Sequence, residues 1–177
     1  MTETPARRRE VSGGMNGPVL VGVMPGQHPM VVEQAAAVAA SAGLALVFAY
    51  ADVTVYPVDG TTGGPAAPID PDGVDGDDAE AGNALDSLKK TIAEQLPSPD
   101  LQWSIVPLAG EPAKALAREA EELDASMIVV GTRQHGLTAT LKDITAGSVA
   151  RHLAHRQHRP VLVVPVNPRI PNDDDQE

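Results

Sequence analysis

Five short apolar runs organise the chain between residues 18 and 164. They occupy residues 18–23, 44–51, 101–107, 127–130 and 161–164. Four of them lack regular polar alternation, which is typical of strands covered on both faces, and the run at 101–107 alternates. The pattern therefore predicts a largely buried sheet of five strands.

Helical patterns fill most of the intervals between these runs. Helices are predicted at residues 31–42 and 79–96, and two more begin near Pro112 and Ser148. Gly43 is predicted to end the first helix, and Pro112 suits the first turn of the third. The third helix is predicted to bury Ala113, Leu116, Ala117, Ala120 and Leu123, and to expose Lys114, Arg118, Glu119 and Glu122.

The order of these elements predicts an α/β fold, with an open parallel five-stranded sheet, right-handed crossovers and helices on both faces. Ligands of such sheets bind beyond the carboxyl ends of the strands, where the strand order reverses. The loops after Val23, Ala51 and Val130 are therefore the candidate binding loops.

A single domain is predicted over residues 18–166. Residues 1–17 are polar and predict a disordered arm, and residues 167–177 predict an acidic tail. Residues 57–78 are rich in proline, glycine and aspartate and have no periodicity, which predicts a long, flexible acidic loop within the domain.

Composition narrows the possible functions. Lysine and arginine total 13 against 24 aspartates and glutamates, and this net charge of -11 argues against a nucleic-acid partner. Cysteine is absent, which excludes disulfides, thiol catalysis and cysteine-ligated metals. No apolar run approaches the roughly 20 residues that cross a bilayer, and no signal-peptide pattern follows the first basic residues. We therefore expect a cytoplasmic protein without a membrane partner.

One segment has the features of an anion site. Gly147 and Ser148 precede a predicted helix, where free N–H groups and the helix dipole suit a phosphate. Residues 131–170 contain six lysines and arginines and one acid, in an otherwise acidic chain. The alternative is an ordinary N-cap followed by a solvated basic helix.

Four segments resemble the universal stress protein family. They are GEPAKAL at 110–116, ASMIVVGTR at 125–133, GSV at 147–149 and RPVLVVP at 159–165. The resemblance implies strand order 3-2-1-4-5, as in adenine nucleotide alpha hydrolase-like folds. It also implies a homodimer formed by pairing of the last strands, here Val161–Val164.

One branch of that family binds ATP through a glycine motif after the fourth strand, and the resemblance implies the same site here. The implied cofactor-binding residues are Val130, Gly131, Thr132, Arg133, Gly147, Ser148 and Val149. Tyr50, at the end of the second strand, is placed beside the base. The sequence departs from the motif in a glycine loop three residues longer, and Met24 stands where ATP-binding members usually have aspartate. These departures predict phosphate capture with a weaker preference for adenine.

The leading hypothesis is a stress-response protein that binds ATP or another adenine nucleotide with little turnover, without catalytic or metal-binding residues. The alternative is a nucleotide-independent dimeric interaction protein with a relic pocket. A slow hydrolase is less favoured because no general base can be named and no Walker-type lysine follows a glycine-rich loop. His152, His155 and His158 are interpreted as complements to a helix C-terminus rather than as a metal site.

Overall fold

The computed structural model describes residues 15–53, 55–57, 66–68, 77–132 and 148–166. Residues 1–14 of the predicted arm, the acidic tail and most of the predicted loop at 57–78 lie outside these ranges, whereas residues 15–17 of the predicted arm lie within them. Within them the strands are β1 (Val19–Val23), β2 (Leu46–Asp52), β3 (Val55–Pro57), β4 (Ala66–Pro68), β5 (Trp103–Ala109), β6 (Met127–Gly131) and β7 (Val161–Val164). The helices are α1 (Met30–Ala42), α2 (Asp77–Gln95), α3 (Pro112–Glu122) and α4 (Ser148–Arg156).

Five strands form one parallel sheet in the order β5-β2-β1-β6-β7. Counted along the chain, this is the predicted order 3-2-1-4-5, which the structure confirms. The strand order reverses at β1, because β2 lies on one side of it and β6 on the other. Val19 of β1 accordingly pairs with Leu46 of β2 and with Met127 of β6.

Helices cover both faces of the sheet, as predicted, and alternate residues of the strands fill two separate cores. On one face Val19, Val21 and Val23 pack with α1 and α2. On the other face Leu20 and Ile128 pack with α3 and α4. Because β1 is buried on both faces, its sequence is apolar without alternation.

The third predicted strand lies two residues further along the chain than its apolar pattern suggested. The structure places β5 at Trp103–Ala109, where it pairs with β2 from Leu46–Trp103 to Asp52–Ala109. Pro107 is tolerated because β5 is an edge strand and its missing N–H leaves no inner ladder incomplete. Trp103 packs edge-on against Phe48 at 5.8 Å between ring centroids.

A second, two-stranded sheet was not anticipated. Strands β3 and β4 pair antiparallel, with Val55 opposite Pro68. Both fall in or next to the predicted loop at 57–78, and α2 begins at Asp77 rather than at residue 79. Three-residue strands carry too little periodicity to be detected in a proline-rich segment.

The prediction that Glu119 faces water is wrong. Its exposed fraction is 7%, and it lies on the buried face of α3 with Ala115 and Leu116. The helix packs against both the sheet and α4, so its buried face is wider than a single stripe. Burial, together with the nearby charge of Glu122, raises the pKa of Glu119.

The amino ends of the strands are held together by side chains. Arg159 donates to the carbonyl oxygen of Ala125 at 2.8 Å and forms ion pairs with Glu121 at 2.7 Å and Asp124 at 3.2 Å. Ser126 Oγ donates to the carbonyl oxygen of Gly17 at 2.7 Å. The loop before β7 is thereby tied to the turn between α3 and β6, and that turn to the start of β1.

Candidate functional site

A cavity of about 510 Å³ opens at the carboxyl ends of β1, β2 and β6. This is the edge at which the strand order reverses, and it is the position predicted for the ligand. The wall is largely apolar, and the side chains with polar groups among the described lining residues are Gln27, His28, Tyr50, Asp52 and Thr132. An apolar cleft with a few convergent polar groups is typical of a small-molecule site.

A tight turn forms one rim of this cavity. The amide of Gln27 donates to the carbonyl oxygen of Met24 at 3.2 Å, and the amide of Met24 donates to Gln27 Oε1 at 3.3 Å. Gly26 has φ +73°, a conformation that residues with a side chain rarely adopt. The turn is therefore closed by both the backbone and the side chain of Gln27.

The amide nitrogen of Gln27 is an unmet donor. Its Nε2 atom is enclosed and has no hydrogen-bond partner in the part of the chain that the structure describes. Gln27 lines the large cavity and also a smaller one of about 130 Å³ between this turn and α2. A buried donor without a partner costs about 1–3 kcal/mol, so the position favours a ligand that supplies an acceptor.

Thr132 joins the cavity to the segment after β7. Its amide donates to the carbonyl oxygen of Val164 at 2.9 Å, and its Oγ1 accepts from the amide of Val166 at 2.9 Å. The hydroxyl hydrogen is not consumed by either bond, so Thr132 retains a donor beside the cavity.

Gly131 permits a close approach of α1 to the end of β6. A Cβ atom built on Gly131 would lie 2.7 Å from Val31 Cγ2, well inside ordinary contact. Because glycine has no side chain, Val31 can pack directly against the backbone at the end of β6. Val31 and Gly131 both line the cavity.

Tyr50 and Asp52 lie two residues apart at the end of β2, on the same face of the strand, and both line the cavity. Partial burial, with the charge of Asp52 as a second cause, raises the pKa of the Tyr50 phenol above its usual value of 10.0. The phenol is thus fully protonated at neutral pH, and its O–H can donate to a ligand.

The structure brings five of the eight predicted site residues to one cavity. These are Tyr50, Val130, Gly131, Thr132 and Val149. Arg133 and Gly147 lie outside the described residues, and of Ser148 the structure describes the backbone, as the first residue of α4. Met24 also lines the cavity, with an exposed fraction of 51%.

Sequence reasoning missed Gln27, His28 and Asp52 as lining residues. Each lies within five residues of a strand end that was predicted to border the site. Proximity to the carboxyl end of a parallel strand was the available signal, and only Met24 was considered on the loop after β1. The same signal applies to the polar residues of that loop, Gln27 and His28, as much as to Met24.

The three histidines of α4 and the loop after it do not form a metal cluster. Among the described residues, no group of three or more histidines or carboxylates is arranged to hold a metal ion. His152 Nδ1 instead lies 4.0 Å from Glu111 Oε1, at the start of α3. Likewise, none of the described helices is long and apolar enough to cross a membrane.

The fold and the cleft together define an open, doubly wound α/β protein with a cavity, the candidate small-molecule site, at the reversal of strand order. Residues 15–165 match the model of the universal stress protein family. The chain belongs to this family, as its glycine and valine motifs indicated.

Solved structures share the fold at low sequence identity. A universal stress protein from Archaeoglobus fulgidus is 22% identical, the match covers 85% of this chain and 94% of that chain, and the TM-score is 0.56. The universal stress protein from Archaeoglobus fulgidus in complex with dAMP gives 21%, 85%, 98% and 0.55. A universal stress protein in complex with cAMP gives 22%, 86%, 100% and 0.54. A comparison with curated proteins gives no match.

Proposed function

We propose that this chain binds an adenine nucleotide, ATP or a relative of it, in the cavity at the ends of β1, β2 and β6, with little or no turnover. The observation that carries the proposal is the cavity itself, which lies at the strand-order reversal and gathers Tyr50, Thr132 and Val149. Structurally similar family members in complex with cAMP and dAMP support the ligand class.

The geometry suits a nucleotide in two ways. Apolar walls on both sides of the cleft, among them Val23, Ala51 and Leu116, can enclose a flat base. Val149, in the first turn of α4, borders the same cavity, so the phosphates would lie near free N–H groups and the positive end of a helix dipole. The proposal includes a cytoplasmic stress-response role.

The test combines ligand identification with a charge reversal at the phosphate end. Mass spectrometry of the purified chain is expected to detect a co-purifying nucleotide, and calorimetry should give binding of ATP, AMP or cAMP. Val149→Glu should weaken ATP binding by about tenfold or more, because a carboxylate would face the phosphates. The helix should still form, since an acid in its first turn complements the dipole.

Two control variants separate charge from volume and position. Val149→Gln has nearly the same volume as the glutamate variant without its charge, and should retain most of the affinity. Ala154→Glu adds the same charge to an exposed position of α4 that is not among the cavity-lining residues, and should bind like the parent. Equal affinity of Val149→Glu and Val149→Gln would contradict the proposed phosphate position. ATP incubated with the parent chain should remain largely unhydrolysed.

A second candidate function is nucleotide-independent interaction through a homodimer. The edge position of β7 and the 41% exposure of Val163 favour it, because an apolar edge strand is prone to pair with a second copy. A dimer by light scattering, with no heat from any nucleotide up to millimolar concentration, would favour this function over nucleotide binding.

A further inference from the structure

We propose that the cavity recognises the base of its nucleotide through hydrogen-bond acceptors of the ligand, and that it therefore binds 6-oxopurine nucleotides at least as tightly as adenine nucleotides. The inference rests on the proposed function, since it names the base preference of the same cavity. The observation behind it is which atoms of the polar lining side chains already form hydrogen bonds within the chain.

Three polar side chains of the wall each accept one hydrogen bond from a backbone amide. Gln27 Oε1 accepts from the amide of Met24 at 3.3 Å, His28 Nδ1 from that of Met30 at 3.2 Å, and Thr132 Oγ1 from that of Val166 at 2.9 Å. The donors of these side chains take no part in these three bonds: they are the carboxamide NH₂, the imidazole Nε2–H and the hydroxyl hydrogen.

Gln27 shows the imbalance most clearly. Its Nε2 is enclosed and finds no partner among the described residues, while its Oε1 is engaged. One bond of 3.3 Å holds the carboxamide in place, at the long end of the range for such bonds. A ligand acceptor in the cavity can therefore draw the NH₂ group towards it by a modest rotation.

Tyr50 adds a fourth donor on the β2 side of the cavity. Its phenol is protonated at neutral pH, because partial burial and Asp52 both oppose ionisation. Donors thus come from the loop after β1, from the end of β2 and from the residue after β6. Three of the four donors, on Gln27, His28 and Tyr50, thus belong to the ends of β1 and β2, and the inference places the base among them.

Side chains that can only accept are few among the described residues of the same wall. Asp52 is the one carboxylate among the described lining residues, and it already interacts within the chain. Met24, at the end of β1, offers a thioether, which is a weak acceptor. The exocyclic amino group of adenine needs an acceptor, whereas the 6-oxygen of hypoxanthine or guanine needs a donor.

The purine edge that carries N7 distinguishes the two classes. A 6-oxopurine presents two acceptors there, N7 and O6, and adenine presents one acceptor and one donor. A wall of donors can satisfy both atoms of the oxopurine edge but only one of the adenine edge. The chemistry of the wall thus favours inosine and guanine nucleotides, or treats them as equals of ATP.

The experiment is a calorimetric titration of the full chain with ATP, ITP and GTP at the same salt and magnesium concentrations. ATP and ITP differ only in the base, so their affinity ratio reports on its recognition. ITP is expected to bind equally well, or up to about tenfold more tightly, which corresponds to one additional hydrogen bond. ATP bound threefold or more tightly than ITP would overturn the inference while leaving the proposed function in place. Failure of every nucleotide to bind would overturn both.

Gln27→Glu tests the donor directly. The new carboxylate can still accept from the amide of Met24, so the turn is retained, but the unmet donor becomes an acceptor. The affinity ratio should shift towards ATP by about threefold to tenfold relative to the parent. Gln34→Glu, an exposed position of α1 with the same change of charge, should leave the ratio unchanged. An unchanged ratio in Gln27→Glu would also overturn the inference.

Asp52→Asn identifies the competing reader of the base. If ATP is preferred by the parent and that preference disappears in Asp52→Asn, the carboxylate reads the adenine amino group and the inference is overturned. Under the inference, Asp52→Asn leaves ITP bound at least as tightly as ATP.

Discussion

At the amino ends of its strands the sheet is closed by short hydrogen bonds, whereas at the carboxyl ends it opens into a cavity with an unmet donor. The amino end has the Arg159 side chain, 8% exposed, bound to three oxygens, and the carboxyl end has Gln27 Nε2 with no partner among the described residues. The polar side chains compared here are therefore paired within the chain at the amino ends, whereas at the carboxyl ends one buried donor has no partner among the described residues. We therefore expect substitutions at the first edge to affect mainly stability, and those at the second edge to affect the proposed binding as well.

Removal of the Arg159 side chain should have the largest effect on stability. Arg159→Ala breaks one bond to a carbonyl oxygen and two ion pairs, and it leaves the carbonyl of Ala125 without this donor. We expect the free energy of unfolding to fall by about 2–3 kcal/mol, measured by urea denaturation. Nucleotide affinity of the folded fraction should not change.

Two variants control this prediction. Arg156→Ala removes an exposed arginine of α4 and should cost less than about 0.5 kcal/mol. Arg159→Lys keeps the charge but loses the planar fork, so its cost should be intermediate. A loss of nucleotide binding in folded Arg159→Ala would break the separation between the two ends.

A hydroxyl removed from each end sharpens the comparison at a smaller scale. Thr132→Val should lower stability by about 1 kcal/mol, since the amide of Val166 loses its acceptor, and should weaken nucleotide binding by about fivefold. Ser126→Ala deletes the bond to the carbonyl of Gly17 and should cost a similar amount of stability with no effect on binding. Thr132→Ser should behave like the parent in both measurements. If Thr132→Val binds nucleotide as tightly as Ser126→Ala, the assignment of Thr132 to the binding cavity is contradicted.

The smallest expected effect on stability is that of Glu119, a buried carboxyl group of α3. Its raised folded-state pKa means that its contribution to stability is complete below the unfolded value of about 4.5 and is lost as pH rises through the folded value. Glu119→Gln should therefore stabilise the protein at pH 7 by about 1 kcal/mol or less, and bring little gain at pH 4. Thermal unfolding at both pH values measures this.

The opposite sign applies two residues further along the same helix. Glu121 has a lowered pKa because it bonds with Arg159, so its contribution to stability is present above its unfolded pKa and is lost as pH falls through the folded one.

Glu94→Gln, on an exposed position of α2, is the matched control for Glu119→Gln. A gain at pH 4 equal to that at pH 7 would show that ionisation of Glu119 is not the cause.

The fold could be predicted from the sequence because its main signals are strong and local. Short apolar runs such as the one that ends at Val23 are typical of doubly covered strands, and Gly43 adopts the left-handed conformation expected at a helix end. Glu119 could not be predicted, since the width of a helix's buried face depends on two neighbouring layers that are distant in sequence. The shift of β5 likewise depends on its pairing with β2.

The candidate site was predicted in part. Topology predicted which loops border the cavity, and the family resemblance named Thr132 and Tyr50, both of which line it. Gln27 and His28 were missed because their importance lies in which of their atoms are already bonded. A sequence states that a glutamine is present, and only a structure shows that its oxygen is engaged and its nitrogen is not.

The central position of β1 has a consequence for the order of synthesis. This strand is made first, yet one of its two neighbours, β6, comes more than a hundred residues later. A growing chain that ends before residue 127 has β1 with one ladder unfilled and Leu20 without Ile128 beside it. Nascent chains of this protein therefore expose an apolar strand edge until the final third emerges from the ribosome, and that interval is when a chaperone has most to bind.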